Sequence, residues 1–190
     1  MKIKLTENQF KRLIENIIDE NIILSEIFSD LNVSENDIKN VKILKDNGKE
    51  IVITFSTNMN NYVLEAIIDN FDSKLGETTI KTIQQYNGNK PVYKVRFGIY
   101  KDGKIDARII TNEHEQFLIF RVVFHYLKKY IDKYDVRIIY FISEGEKKIE
   151  VYKYIINKHF YDFYLFNEKD RLVGNISFMI KKEDYDRSIK

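Results

Sequence analysis

The heptapeptide Val136-Arg-Ile-Ile-Tyr-Phe-Ile142 constrains this chain more than any other stretch. It is a nearly continuous apolar run of β-branched and aromatic residues, the pattern of a central strand covered on both faces. A strand of that kind needs material above and below it, and the flanking sequence supplies it. Phe117, Phe120, Phe124, Leu127 and Ile131 recur at helical spacing over residues 112–133. Leu118, Val122 and Val123 widen that stripe, so the spacing predicts a helix buried on more than one side. Downstream, residues 146–159 repeat the pattern, with Ile149, Tyr152, Ile155 and Ile156 facing inward.

Strand signals surround this unit. Val92-Tyr-Lys-Val-Arg-Phe-Gly-Ile-Tyr100 alternates, Asp102-Gly103 turns the chain, and residues 104–110 return as its partner. A last hairpin joins 161–166 to 176–180 through 167–174. Earlier, Val41-Lys-Ile-Leu and Ile51-Val-Ile-Thr-Phe flank Asp46-Asn-Gly48, a hairpin turn with Asn-Gly at its centre. Residues 62–68 suit a strand better than a short helix. The polar stretch 70–91, which holds Gly76, Gly88 and the single proline, reads as a long loop. The resulting fold class is α+β, a mostly antiparallel twisted sheet with helices on both faces.

Ahead of the sheet, Thr6 and Gln9 form a capping-box pattern, and Phe10, Leu13, Ile14, Ile17 and Ile18 follow at helical spacing. The stripe continues through Ile22, Ile23, Ile27, Phe28 and Leu31. This predicts an N-terminal amphipathic helical segment over 1–33, preceding an α+β domain over 34–190. Such a stripe can pack on its own domain or dock on another protein. The second reading nominates Phe10, Leu13, Ile14 and Ile17 as partner-binding residues.

Composition excludes several chemistries. The 190 residues contain no cysteine, which removes disulfides, thiolate metal sites and a cysteine nucleophile, and only three histidines, which argues against a His-rich metal centre. Lys plus Arg number 31 and Asp plus Glu 29, a net charge of +2 that does not suit a dedicated duplex-DNA binder. No apolar run approaches the ~20 residues that span a bilayer, and Thr6, Glu7 and Asn8 stand where a secretory signal needs an apolar core. The expectation is a cytoplasmic protein with no membrane partner.

From Val92 onward the order is strand, strand, long helix, central strand, helix, strand, strand, and in this the chain resembles the C-terminal two-thirds of a GNAT acetyltransferase. The most specific stretch is Ile139-Tyr-Phe-Ile-Ser-Glu-Gly-Glu-Lys-Lys-Ile-Glu-Val-Tyr-Lys-Tyr-Ile-Ile-Asn-Lys-His-Phe160. It is similar to the family's strand followed by a helix of the type N-x-x-A-x-x-L-Y-x-x-x-G-F, with Val151-Tyr152 on the Leu-Tyr pair. The resemblance implies that Tyr152 would be the general acid protonating a departing CoA thiolate. It also implies an acetyl-CoA pyrophosphate held at the start of the long helix by a Gln/Arg-x-x-Gly-x-Gly/Ala turn. The corresponding Thr111-Asn-Glu-His-Glu-Gln-Phe117 has no glycine and places Glu113 and Glu115 against that anion. The opening Met1-Lys-Ile-Lys-Leu-Thr-Glu-Asn-Gln-Phe-Lys-Arg-Leu-Ile-Glu15 is similar to leaders shared by otherwise unrelated proteins of tailed bacteriophages, where such segments direct packaging into the prohead.

Other residue clusters have bland readings. Glu113, His114 and Glu115 suit ordinary N-terminal helix stabilisation better than a metal site. His125 reads as a hydrogen-bonded core or rim histidine, and His159 as a cation in the last turn of a helix. Lys128, Lys129, Lys133, Lys147, Lys148, Lys153 and Lys158, interleaved with Tyr126, Tyr130, Tyr134 and Tyr154, suit a solvated face better than a track for single-stranded nucleic acid. The expectation is a non-catalytic binding or assembly protein of phage type on a GNAT-like fold without its cofactor, with virion or prohead components as partners and the host cytoplasm or virion as location. The alternative is an acyl-CoA-dependent N-acetyltransferase with an atypical pyrophosphate loop, for which acetyl-CoA is the cofactor.

Overall fold

The computed structural model describes residues 29–33, 38–57, 60–69, 75–87, 90–101, 104–106, 113–143, 146–170 and 173–188. In chain order these form β1 (Lys39–Asn47), β2 (Glu50–Ser56), β3 (Asn61–Ile68), α1 (Glu77–Asn87), β4 (Val92–Lys101), β5 (Lys104–Asp106), α2 (Glu113–Tyr134), β6 (Ile138–Ser143), α3 (Glu146–His159), β7 (Phe163–Asp170), β8 (Gly174–Lys181) and α4 (Lys182–Ser188). The strands make one mixed sheet ordered β1-β2-β3-β4-β6-β8-β7, with β5 on β4. Every neighbouring pair is antiparallel except β4 and β6. Of the N-terminal helical segment expected over 1–33, residues 1–28, with Phe10, Leu13, Ile14 and Ile17, lie outside the described residues, while 29–33 are described and are not helical.

β6 is the central strand its sequence predicts. Ile139 and Phe141 enter one core with Phe124 and Leu127 of α2 and Ile155 and Ile156 of α3. Ile138 and Tyr140 enter a second core with Ile83 of α1 and Phe178 of β8. Period-2 alternation thus divides one strand between two cores on opposite faces. The first core spreads across the sheet from Ile53 and Phe55 of β2 to Met179 of β8, and Leu31 joins it at 6% exposure. Arg121 Nη2 donates to the Asn32 carbonyl at 2.5 Å, fixing that segment to α2.

Four sequence expectations need correction. Residues 70–91 are not simply a loop, because α1 occupies half of the stretch. Ile80, Ile83 and Tyr86 form its inner stripe. Its start is held from across the fold, since the buried Asp170 carboxylate accepts from the Gly76 amide at 2.7 Å and the Thr79 hydroxyl at 2.6 Å. A Cβ on Gly76 would lie 2.9 Å from Asp170 Oδ2, so glycine is what permits this approach. Second, Asn47 pairs with Glu50, which makes Gly48 and Lys49 the turn residues in place of Asn47 and Gly48. Asn47 Oδ1 accepts from both the Lys49 and Glu50 amides, at 2.9 and 3.1 Å, and so favours the position before the turn. Third, β7 and β8 pair as far as Asp170 and Gly174, so the final hairpin runs beyond residue 166. Last, α4 follows β8 where no helix was expected.

Polar anchors close the molecule at two places. At the β1–β2 turn, the Tyr134, Tyr130 and Tyr93 hydroxyls donate to the successive carbonyls of Asp46, Asn47 and Gly48, at 2.9, 2.9 and 2.7 Å. Lys133 pairs with the Asp46 carboxylate at 2.6 Å. At the other, Asp184 of α4 accepts from Arg137 Nε at 2.5 Å and Lys90 Nζ at 2.6 Å. Burial alone would raise the Asp184 carboxyl, but these hydrogen bonds outweigh it and hold it below the usual carboxylate value.

Phe124 is wholly buried against Phe141, Tyr152 and Phe160. Phe124→Ala is therefore expected to cost about 3–5 kcal/mol in chemical denaturation; a melting temperature within a degree or two of wild type would contradict this burial. Because the folded Asp184 pKa lies below its unfolded value, its contribution is complete above about pH 5 and fades as pH falls through the carboxylate range. Asp184→Asn should cost about 2 kcal/mol at pH 7, with the gap from wild type narrowing at pH 3.

Candidate functional site

The β4–β6 pair opens into a fork. The two strands pair from Val92 with Ile138 to Val95 with Phe141, and β5 joins β4 only from Ile99. Ile99 also pairs with Tyr62 of β3, so β5 lies on the β6 side of β4. Arg96, Phe97 and Gly98 therefore have a strand neighbour on one edge alone, among the described residues. α2 runs backwards along β4, with Tyr130 against Tyr93 and Phe120 against Phe97. α3 begins at Glu146, with two residues between it and the end of β6 at Ser143. The N-termini of both helices thus gather at the carboxyl ends of the parallel strands, the place where open α/β sheets offer a crevice.

Aromatic rings line this fork on the α2–α3 face. Phe97 meets Phe120 edge-on at 5.8 Å and Tyr152 at 6.4 Å. Tyr152 touches Phe120 at 5.8 Å, Phe124 at 6.0 Å and Phe141 at 5.4 Å. It is 3% exposed, and burial pushes its phenol above the ordinary tyrosine range, so it remains an O–H donor throughout the neutral range. Glu113 opens α2, while the side chains of residues 113–116 lie outside the description.

The opposite face near the fork carries charge. Arg96 pairs with Glu65 directly across the β3–β4 ladder. Tyr140 donates its hydroxyl to Asp69, and Lys94 Nζ lies 5.9 Å from the Tyr140 ring centre. Burial lowers the Lys94 pKa and the Arg96 charge adds to this, against the pull of Asp69 and Glu65. The outcome is an amine whose pKa lies below the ordinary lysine value. Sequence reading did not single out Lys94, Arg96, Glu65 or Asp69. The available signal was the same-face spacing of Glu65 with Asp69 and of Lys94 with Arg96 on two adjacent strands.

The other sequence candidates are scattered over the fold and do not converge on one site. His125 is half-buried and hydrogen-bonded to the Leu31 backbone. Burial first, and Lys129 next, hold it below the ordinary imidazole range. Among the mixed Lys/Tyr residues, Tyr130 is buried and Tyr130 and Tyr134 spend their hydroxyls on the β1–β2 turn. Lys128 lies over Phe160, Lys129 over Tyr126 and Lys158 over Tyr154. These rings pack against the protein's own lysines and do not form one stacking track. Among the described residues no group of three or more His, Cys, Asp or Glu is placed to hold a metal ion, and no helix is long and apolar enough to cross a membrane. No protein-family model matches the chain, and no curated protein matches it in sequence.

Lys94 offers a direct check of this electrostatic picture. A carbon-detected NMR titration of the lysine side chains should show Lys94 losing its proton below the ordinary lysine value of 10.5. A midpoint at or above that value would mean that water reaches the amine freely.

Proposed function

We propose that this chain is a non-catalytic binding or assembly protein, on a GNAT-like fold that has lost its acyl-CoA site. The order β4, β5, α2, β6, α3, β7, β8 supports the fold assignment, since it repeats the order on which the resemblance rests. One observation carries the functional reading. α2 begins at Glu113, so Glu113 and Glu115 occupy the helical turn where a GNAT enzyme would place the pyrophosphate. An anion at a helix N-terminus depends on free amides and a positive end of the dipole, and two carboxylates in that turn oppose both.

The transferase alternative draws on Tyr152. It stands at the fork and is kept protonated, as a general acid must be. Against that, its ring is enclosed by Phe97, Phe120, Phe124 and Phe141, the packing of a core residue. The partner side of the proposal falls to residues 1–18, whose apolar stripe at Phe10, Leu13, Ile14 and Ile17 suits a groove on a protein partner, of virion or prohead type. Single-stranded nucleic acid and membranes are not part of the reading. The location that goes with it is the host cytoplasm or the virion.

Calorimetry with acetyl-CoA separates the two readings: the binding reading expects no dissociation constant tighter than about 1 mM, or ~4 kcal/mol. Micromolar affinity, abolished by substitution near the fork, would establish the transferase. Removal of residues 1–18 should leave a folded domain that no longer captures its partner. An insoluble truncated protein would assign the stripe to the core instead.

A further inference from the structure

Among the described strands β1 is the most exposed. Its nine residues pair with β2 alone among the described strands, with register shifts between Lys39 and Lys42 and between Ile43 and Lys45, so among the described residues its outer edge carries unpaired N–H and C=O groups. Only Val41 is half-buried; Ile43 and Leu44 are 55% and 57% exposed. A strand that buries so little of itself is nevertheless held firmly. β2 beside it packs Ile51, Ile53 and Phe55 into the core, and three tyrosine hydroxyls and Lys133 fix the turn at its end.

Its free charge has one sign. Asp46 is neutralised by Lys133 and Glu50 by Lys45. Lys39, Lys42 and Lys49 are exposed, with no carboxylate partner among the described residues. We propose that the β1 edge is a docking site for an extended acidic segment of another protein, added as a further strand. Its backbone would pair with the open edge, its apolar side chains would cover Ile43 and Leu44, and its carboxylates would meet Lys39 and Lys42. A second copy of this chain is the poorer occupant, because pairing β1 with β1 brings two lysine-rich edges together and edge lysines oppose that association. Nucleic acid is also poorer, because β1 carries no aromatic ring on which a base could stack. The proposal does not depend on the acyl-CoA question or on residues 1–18, since a transferase could carry the same edge.

The test uses the full-length protein and a dye-labelled nonapeptide of alternating valine and glutamate, followed by fluorescence anisotropy at low and high salt. Saturable, salt-sensitive binding is expected, with slowed amide hydrogen exchange over residues 39–47. The double variant K39E/K42E, checked for an unchanged melting temperature, should bind about tenfold more weakly or worse, while K101E, on a different strand, should bind as wild type. Four results would each overturn the proposal. The first is no anisotropy change up to millimolar protein, and the second is equal binding of a proline–glutamate peptide, which cannot add as a strand. The third is a concentration-dependent dimer that Ile43→Asp abolishes, and the fourth is displacement of the peptide by oligothymidine at lower concentration.

Discussion

Burial of β6 on both faces sets the terms for everything around it. A strand with Ile138 and Tyr140 on one side and Ile139 and Phe141 on the other has no solvent face, so helices must cover it twice. Its parallel pairing with β4 adds a second demand, because a parallel neighbour is reached only by a crossover. α2 is that crossover. Its wide apolar surface, from Ile119 to Ile131, follows from lying over the sheet while α3 packs beside it. The fork lies where this parallel pair stops. β4 and β6 pair only as far as Val95 and Phe141, β6 runs on to Ser143 against β8 alone, and β5 takes up the β4 edge from Ile99.

The polar contacts solve a problem that the apolar core creates. Sheet and helices bring the β1–β2 turn against the end of α2, and backbone carbonyls pressed against protein need donors. Tyrosine is suited to the task, since its ring extends the core and its hydroxyl reaches a carbonyl at the rim. Tyr93 and Tyr130 contact each other edge-on at 5.9 Å and serve adjacent carbonyls. A chain with 13 tyrosines and no tryptophan can use this device repeatedly. In this setting Tyr130 and Tyr134, which sequence reading weighed as part of a nucleic-acid face, are structural, and Lys128, Lys129, Lys133 and Lys158 sit over neighbouring rings.

How much of this was legible depended on whether the decisive contact was local. α2, α3 and β6 were readable because their periodicity is carried by residues within a few positions of each other, and α3 matches its expected bounds of 146–159. α1 was not, because its sequence ETTIKTIQQYN is polar and its start is held by Asp170, 91 residues from Thr79. The end of β7 was missed for the same reason. Asn167, Glu168, Lys169 and Asp170 look like a loop, yet they pair residue by residue with β8, and Ser177 donates to Asn167 Oδ1 at 2.7 Å. Of the candidate site, Tyr152 was singled out from its helix, but its aromatic enclosure draws on β4, α2 and β6, which only the assembled sheet brings together. The charged strip at Lys94 combines three strands and had no linear signature beyond alternation.

Net charge illustrates the difference between a sum and a surface. A total of +2 spread evenly would leave no patch worth recognising. In the fold, the carboxylates with the most defined surroundings are taken internally: Asp184 by Arg137 and Lys90, Asp135 by Lys181, Asp46 by Lys133 and Glu65 by Arg96. Each such pair removes one charge of each sign from the surface field, and short contacts of this kind are screened less by salt than distant ones. What remains is decided by which lysines find no partner. On β1 these stand beside an open backbone edge and two exposed aliphatic side chains, so charge, hydrogen-bonding capacity and apolar area coincide on one element. The fork encloses a protonated hydroxyl among aromatic rings, and the strip behind it holds a half-buried amine flanked by Arg96 and by the carboxylates of Asp69 and Glu65. Of these three places β1 alone combines an unbalanced charge with groups that can bind a backbone, which is why recognition of another chain is assigned to it.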